Sequence, residues 1–175
     1  MNLQTSVKAN KPSPSLAAFS LAAGSGEQRW WLGSLATIKA SSEQTGGQFA
    51  LIEIQENESE APLHVHHRED EAFWVIEGDI LFEVGGKAIE AGPGSFLFGP
   101  RGVPHRYKVR KGPARMLWLF TPGGFENLLR ATSNPAGEAR IPREGEGMPD
   151  DDKLLEIVQR YGCEILASDP ITAVG

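Results

Sequence analysis

Residues Pro62–Gly78 read PLHVHHREDEAFWVIEG and contain three of the four histidines of the chain. Alternate residues of a β-strand face the same side, so His64 and His66 point one way and His67 points the other. The polar break RED allows the chain to turn before a second, more apolar run begins. Glu71 stands at the start of that second run, where its side chain can rejoin the two imidazoles.

The remaining histidine, His105, lies in the segment GSFLFGPRGVPHRYKV, which spans Gly94–Val109. The glycines and prolines of this segment fix turns directly before a new strand-like run. A histidine at the entrance of a strand, beside rigid turns, is held ready to point inward. We therefore expect His105 to join His64, His66 and Glu71.

The spacing of these residues resembles the two paired motifs of the cupin family. The first motif, H-x-H-x4-E-x6-G, is formed by His64, His66, Glu71 and Gly78. The second motif, G-x5-P-x-G-x2-H, is formed by Gly94, Pro100, Gly102 and His105. The resemblance implies an all-β, double-stranded β-helix barrel of the jelly-roll type. It also implies that three histidines and one glutamate bind a divalent metal.

Imidazole and carboxylate groups suit a divalent transition metal, and Fe, Mn, Ni, Co, Cu and Zn all accept them. Three histidines and one carboxylate leave positions open in a five- or six-coordinate ion, where water, oxygen or a substrate oxygen can bind. We therefore predict one divalent ion of unspecified identity at His64, His66, Glu71 and His105. Two departures from the motifs, Glu58 in place of a glycine and Val109 in place of an asparagine, leave these ligands intact.

Strand alternation places the side chains of Phe73, Val75, Tyr107 and Val109 around this ion. Phe49 and Trp118 are further candidates for substrate contacts. The strand register decides whether Leu51, Met116 or Leu117, and Phe120 join this wall. The predicted site is thus a mostly apolar pocket around one ion, as is usual for small-molecule sites.

Three polar residues of the opening segment are expected to lie outside the pocket. We interpret His67 as a surface or interface side chain because of its parity. Glu69 and Asp70 are interpreted as solvated turn acids that accompany Arg68.

Short β-rich runs recur between turn signals from Leu16 to the middle of the chain, which predicts an antiparallel barrel or sandwich. We interpret the first run, LAAFSLAAG, as a strand and not as part of a signal peptide. The predicted organisation is a flexible arm over residues 1–15, a β-barrel over 16–123 and a helical extension over 124–175. The extension packs on the barrel or on a partner. Its helices are predicted at FENLLRA and DDDKLLEIVQRYG, and the second carries a packing stripe formed by Leu154, Ile157, Val158 and Tyr161.

The 175-residue chain carries a net charge of −6 at pH 7, with scattered lysines and arginines. It therefore offers no basic surface for nucleic acid. Its apolar runs are far shorter than the roughly 18 residues of a membrane span. The single cysteine, Cys163, cannot form an intrachain disulfide and is interpreted as a buried packing residue. We expect a cytoplasmic protein that binds a small-molecule substrate, and neither nucleic acid nor membrane. Exposed sheet edges invite pairing with a second chain, so we also expect a homodimer.

Beyond the motifs, the order of segments is similar to that of single-domain bacterial cupins related to quercetin 2,3-dioxygenase. The similar segments are WWLGSLATIKASSEQTGGQFAL, TPGGFENLLRA and a last helix running into RYGCEIL. This resemblance implies oxygen-dependent cleavage of a small flavonol-like or enol-bearing aromatic compound. Glu71 would be both a metal ligand and the catalytic acceptor of the substrate's hydroxyl proton. Two alternatives stay open, because one fold hosts many chemistries: a metal-assisted lyase or isomerase, and a small-molecule-binding protein without catalysis.

Overall fold

The structure is a computed structural model and describes residues 16–148 and 151–171. The predicted arm over residues 1–15 lies outside the described residues. Within them the chain forms eleven strands: β1 (Glu27–Trp31), β2 (Ser34–Ala40), β3 (Ala50–Glu56), β4 (Ser59–Glu60), β5 (His64–His66), β6 (Asp70–Val84), β7 (Lys87–Ala91), β8 (Phe96–Gly99), β9 (His105–Thr121), β10 (Asn134–Pro135) and β11 (Cys163–Ile165). The same residues form three helices: α1 (Ser42–Thr45), α2 (Phe125–Ala131) and α3 (Asp151–Arg160).

All strand pairs are antiparallel, and the path through the sheet runs β10-β1-β2-β3-β9-β5-β11. The two longest strands, β6 and β9, pair from Asp70 opposite Thr121 to Val84 opposite His105. Their register shifts around Gly78, where the ladder bends, so each strand can serve both ends of the barrel. This arrangement confirms the predicted all-β barrel of the double-stranded β-helix type.

The core is built by the inward-facing residues of the central strands. Ile52 and Ile54 of β3 are fully buried, as are Met116 and Phe120 on the paired strand β9. The β6 residue Phe73 packs in the same cluster. Each such side chain contributes about 1.5–3 kcal/mol when it leaves water, so this interior is the main source of stability. The cavity described below lies against this core.

The two predicted helices after the barrel are present as α2 and α3. Leu128 and Leu129 of α2 and Val158 of α3 are part of the core cluster. None of the helices in the described part of the chain is long and apolar enough to cross a membrane. The chain then adds β11, a strand that the sequence pattern did not predict because three residues are too few to show alternation. Since Cys163 of β11 pairs with His66 of β5, this late segment becomes the neighbour of the histidine strand.

The prediction of a first strand at LAAFSLAAG is wrong. Residues 16–22 form no regular structure, and the side chains of Leu16, Phe19 and Leu21 are 44–51% exposed. Apolar composition alone does not make a strand when the backbone finds no partner. The next element along the chain, β1, already pairs with β2 on one edge and with β10 on the other.

Candidate metal centre and aromatic cavity

Three strands bring the four predicted metal ligands together. Strand β5 carries His64 and His66, β6 carries Glu71 near its start, and β9 begins with His105. In the register of the sheet, His64 lies opposite His105. One ligand atom from each of these four residues lies within 4.8 Å of the ligand atoms of the other three. The convergence predicted from strand parity is therefore present.

Glycines make room for this convergence. Glu71 pairs with Gly99 in the ladder between β6 and β8. A Cβ atom at Gly99 would lie 3.1 Å from Nδ1 of His105, so a larger residue there would press on the imidazole ring. Gly78, the last residue of the first motif, has a φ of 105°, and an added Cβ would lie 2.8 Å from Cβ of Ala114. Both glycines permit close approaches that hold the strands in place.

The Oε2 atom of Glu71 is the centre of the cluster. It lies 2.9 Å from Nε2 of His105, 3.1 Å from Nε2 of His66 and 3.9 Å from Nε2 of His64. Burial by itself would raise the pKa of Glu71. Close contacts with the imidazoles of His105, His64 and His66 outweigh burial and hold that pKa well below its usual range. Glu71 is therefore ionised.

The other ring nitrogens of two histidines are fixed by backbone carbonyl groups. Nδ1 of His64 lies 2.8 Å from the carbonyl oxygen of Pro62, and Nδ1 of His105 lies 2.9 Å from that of Val103. A carbonyl oxygen can only accept, so each Nδ1 carries the hydrogen and donates it. In the neutral imidazole, Nε2 then presents its lone pair to Glu71, and two acceptors face each other across a short gap. A cation satisfies both, so the residues present fit the divalent metal that the family resemblance implies.

His66 supports the same conclusion. Among the described residues, neither of its ring nitrogens has a hydrogen-bond partner, although the residue is buried. Its Nε2 is close to Glu71 but is not aligned for a hydrogen bond. Burial lowers the pKa of His66, which keeps the imidazole neutral and able to bind a metal. The ring packs 5.1 Å from that of Phe125, which holds its orientation.

The interpretation of Glu69 as a solvated turn acid is wrong. Its side chain is buried, and burial raises its pKa to about 7. Gly124, directly before α2, lies close to this side chain, since an added Cβ there would lie 3.3 Å from Oε1 of Glu69. Asp70 does not accompany Arg68, because it forms an ion pair of 2.8 Å with Arg101. These contacts bridge distant parts of the chain, so local sequence could not show them.

His67 points away from the cluster, as its parity predicted. Its side chain is 53% exposed, and its Nε2 lies 3.0 Å from Oε2 of Glu164 on β11. His67 is thus a surface residue, whereas the preceding residue, His66, is buried. Mutation of His67 is therefore a matched control for mutation of His66.

A cavity of about 360 Å³ opens beside the four ligands. His64, His66 and Glu71 form part of its lining. Part of its wall is aromatic and is formed by Trp31, Phe73, Tyr107, Trp118 and Phe125. The volume falls at the lower end of the range typical of small-molecule sites.

Three of the six predicted substrate contacts lie in this wall, namely Phe73, Tyr107 and Trp118. The cavity lining does not include the other three, which are Val75, Val109 and Phe49. Val75 and Val109 are fully buried in the packed core. Phe49 has the opposite parity to the inward-facing β3 residues, and it stands before that strand begins.

Several wall residues come from parts of the chain that the pattern assigned to packing alone. Leu154, Leu155 and Val158 of α3 line the cavity, together with Cys163 and Ile165 of β11. The apolar stripe of α3 was the available signal, although it does not show what the stripe packs against. Cys163 is buried as predicted, and burial raises the pKa of its thiol to about 12, so the thiol stays protonated.

Comparisons with known proteins agree with this architecture. The cupin domain family matches residues 50–120, a range that includes all four candidate ligands. The chain is also 24% identical over 147 residues to Quercetin 2,3-dioxygenase of Bacillus subtilis (strain 168). That match covers 83% of this chain and 43% of the relative, so the chain spans less than half of the relative's length.

Three solved structures show the same fold at low sequence identity. An RmlC-like cupin from Shewanella frigidimarina superposes with a TM-score of 0.54 at 17% identity, covering 65% of this chain and 99% of that one. A predicted oxalate decarboxylase from Thermotoga maritima gives 0.55 at 16% identity, covering 59% and 99%. The Streptomyces nucleoside dehydratase Pac13 gives 0.53 at 14% identity, covering 75% and 98%. At these identities the likeness concerns the fold alone.

Proposed function

We propose that the chain is a metal-dependent dioxygenase of the cupin type, a proposal supported by the match of the cupin domain family to residues 50–120. Its substrate is a small flavonol-like or enol-bearing aromatic compound. The observation that carries the proposal is the position of three imidazoles and one carboxylate in and beside the lining of an aromatic cavity. The similarity to a quercetin dioxygenase over most of this chain supports the choice of reaction.

The ligand set defines the role of the cofactor. His64, His66, Glu71 and His105 would hold one divalent transition-metal ion. When bound, such an ion supplies Lewis acidity that favours the ionised form of a substrate hydroxyl, and it offers open positions to oxygen. The buried carboxylate lies 2.9 Å from His105 and 3.1 Å from His66, so these groups are placed to reach one ion.

Glu71 is the proposed proton acceptor. Its carboxylate takes the hydrogen of the substrate's enol hydroxyl, the O–H bond breaks, and the electron pair stays on the substrate oxygen as an enolate. The electron-rich enolate is then oxidised by molecular oxygen, which supplies the oxygen atoms added to the products. A carboxylate whose pKa lies so far below its usual range is a weak base while all three histidines hold it. Loosening one of these contacts as substrate binds would raise its basicity.

The aromatic wall suits a flat, apolar substrate. Trp31 and Trp118 meet edge to face with ring centroids 6.3 Å apart, and Tyr107 lies 5.8 Å from Trp118. Rings in this arrangement offer both faces and edges to an aromatic ligand. They also exclude water from the enolate, which limits its reprotonation.

The dependence of substrate loss on oxygen tests the proposal against its enzymatic alternatives. The metal-loaded protein is mixed with quercetin, and the flavonol absorbance is followed in air and under nitrogen. A dioxygenase removes the flavonol only in air. Conversion at the same rate under nitrogen would indicate a lyase or isomerase that uses the ion as a Lewis acid alone. Stable binding without conversion in either gas would indicate a binding protein.

A further inference from the structure

A second group of polar side chains lies in the cavity wall, apart from the four metal-ligand candidates. It consists of the carboxyl group of Glu56 and the hydroxyl groups of Ser34, Ser59 and Tyr107, and we call it the Glu56 cluster. All four residues line the cavity. In a mostly apolar pocket, such a group fixes the position at which a polar atom of a ligand binds.

Strand geometry aims Glu56 inward. It is the last residue of β3 and shares the parity of Ile52 and Ile54, whose side chains fill the core. Its side chain is 3% exposed. The hydroxyl group of Ser34 donates a hydrogen bond of 3.0 Å to Oε2 of Glu56, which fixes one side of the carboxyl group.

The other side of the carboxyl group has no partner. Within residues 16–148 and 151–171, Oε1 of Glu56 and Oγ of Ser59 are buried without a hydrogen bond. Burial raises the pKa of Glu56, although Tyr107, Ser34 and Ser59 lie close enough to favour its ionised form. A buried acceptor left unpaired has lost its hydrogen bonds to water without a replacement, which destabilises the folded protein. Packing alone therefore does not account for a carboxyl group at this position.

An indole donor completes the set. Trp118 lines the same cavity, and its Nε1 is buried without a hydrogen-bond partner among the described residues. Residues of the cavity lining thus carry an unpaired carboxyl oxygen at Glu56, an unpaired hydroxyl group at Ser59 and an unpaired donor at Trp118. Tyr107 links the two regions, because its ring lies 5.8 Å from Trp118 and its phenol adjoins Glu56.

We propose that the Glu56 cluster is a recognition subsite for a hydroxyl group on the aromatic ligand. The ligand O–H donates to Oε1 of Glu56, and the indole N–H of Trp118 donates to a ligand oxygen. The protein therefore selects polyhydroxylated flavonols over the unsubstituted ring system. This proposal rests on the proposed function for the aromatic nature of the ligand, although it concerns binding and not turnover.

The test measures binding to metal-loaded protein under nitrogen, so that no oxygen-dependent turnover can occur. Quenching of tryptophan fluorescence reports on ligand binding, because Trp31 and Trp118 line the cavity. The probes are unsubstituted flavonol, galangin, which adds two hydroxyls on one ring, and kaempferol, which adds a further hydroxyl on the other. We expect the wild type to bind at least one of the two hydroxylated probes, galangin or kaempferol, about tenfold more tightly than unsubstituted flavonol. One buried polar group that gains a hydrogen bond has about this effect.

Three variants assign the preference to the subsite. Glu56→Leu keeps the volume and removes both oxygens, so it should abolish the preference. Glu56→Gln keeps a group that can accept and a group that can donate a hydrogen bond, so this variant should retain part of the preference for hydroxylated probes. The control is Glu53→Gln, a change of the carboxylate on the same strand that pairs with Lys39 and Arg115, and it should leave the preference unchanged.

Two results would overturn the subsite: equal binding of the three probes by the wild type, or a full preference in Glu56→Leu. If thermal melting shows that Glu56→Leu does not fold, Ser59→Ala replaces it, with a reduced preference in support and an unchanged one against. Failure of the proposed function looks different. A preference without oxygen-dependent turnover would contradict the dioxygenase alone, whereas turnover without a preference would contradict the subsite alone.

Discussion

The Nε2 atom of His105 lies 2.9 Å from the Oε2 atom of Glu71, although 34 positions separate the two residues in the chain. The carbonyl oxygen of Val103 fixes the hydrogen of His105 on the opposite ring nitrogen. The neutral ring therefore presents a lone pair to a carboxylate. A metal ion between the two groups satisfies both. A second proton on the ring would do the same, because although burial lowers the pKa of His105, contact with Glu71 raises it. A metal ion therefore competes with this proton for the site.

The first prediction compares two neighbouring histidines. His66→Ala should release the metal, because it removes a buried ligand that lies beside Glu71 and Glu69. His67→Ala should keep the metal content of the wild type, since this exposed ring faces Glu164. Atomic absorption on protein purified without chelator or affinity tag measures both. Equal losses in the two variants would show that the ligand assignment by strand parity is wrong.

The second prediction separates metal binding from proton transfer at Glu71. Glu71→Gln keeps the shape and one coordinating oxygen, so a substantial share of the metal should remain. The amide cannot act as the base, and turnover of an active flavonol should fall by about 100-fold or more. Metal content and initial rate are measured on the same preparation. A variant with normal metal and normal turnover would remove the base assignment and leave the metal site in place.

The third prediction concerns the pH dependence of stability at Glu56. Its pKa is raised above the ordinary value of 4.5, so the folded protein keeps this proton at pH values where the unfolded chain has lost it. The wild type therefore loses stability as the pH rises from about 4.5 toward the folded pKa, and the loss is constant above that. Glu56→Gln carries no such proton.

Urea unfolding of both proteins across this pH range measures the effect. We expect the difference in unfolding free energy to change in favour of Glu56→Gln as the pH rises. A difference that stays constant with pH would mean that burial does not raise the pKa of Glu56 in the folded protein.

The fourth prediction concerns the homodimer. Trp74, Phe96 and Phe98 are 50–61% exposed on adjacent positions of β6 and β8. Among the described strands, β8 pairs with β6 alone, so one of its edges is open. We propose that a second copy of the chain covers this aromatic face. Light scattering at micromolar concentration should give the mass of a dimer for the wild type and of a monomer for Phe96→Glu. A monomeric wild type would contradict the proposal.

The candidate metal centre was predictable because its rules are local. Parity orients His64 and His66, a polar break allows Glu71 to return, and turn residues place His105 at a strand entrance. The family resemblance then supplied the reason for the four to meet. In the structure, the ligand atoms of these four residues lie within 4.8 Å of one another.

The remaining parts of the cavity depend on contacts between distant segments. The buried Glu69 lies close to Gly124, and the cavity wall includes Leu154 and Cys163 from the last part of the described chain. No periodicity within a segment shows which surface that segment will cover. The depth of the cavity is also a property of packing, which is why Val75 lies in the filled core although it shares the parity of Phe73.

Oxygen uptake by protein of known metal content tests the central claim most directly. The metal-free protein is loaded in turn with Fe, Mn, Ni, Co, Cu and Zn, and each sample is mixed with quercetin in an oxygen electrode. The account predicts that at least one metal supports oxygen uptake in proportion to the ion bound, and that His66→Ala, which binds no metal, shows none. Fully loaded protein that binds quercetin and consumes no oxygen with any of the six metals would contradict it.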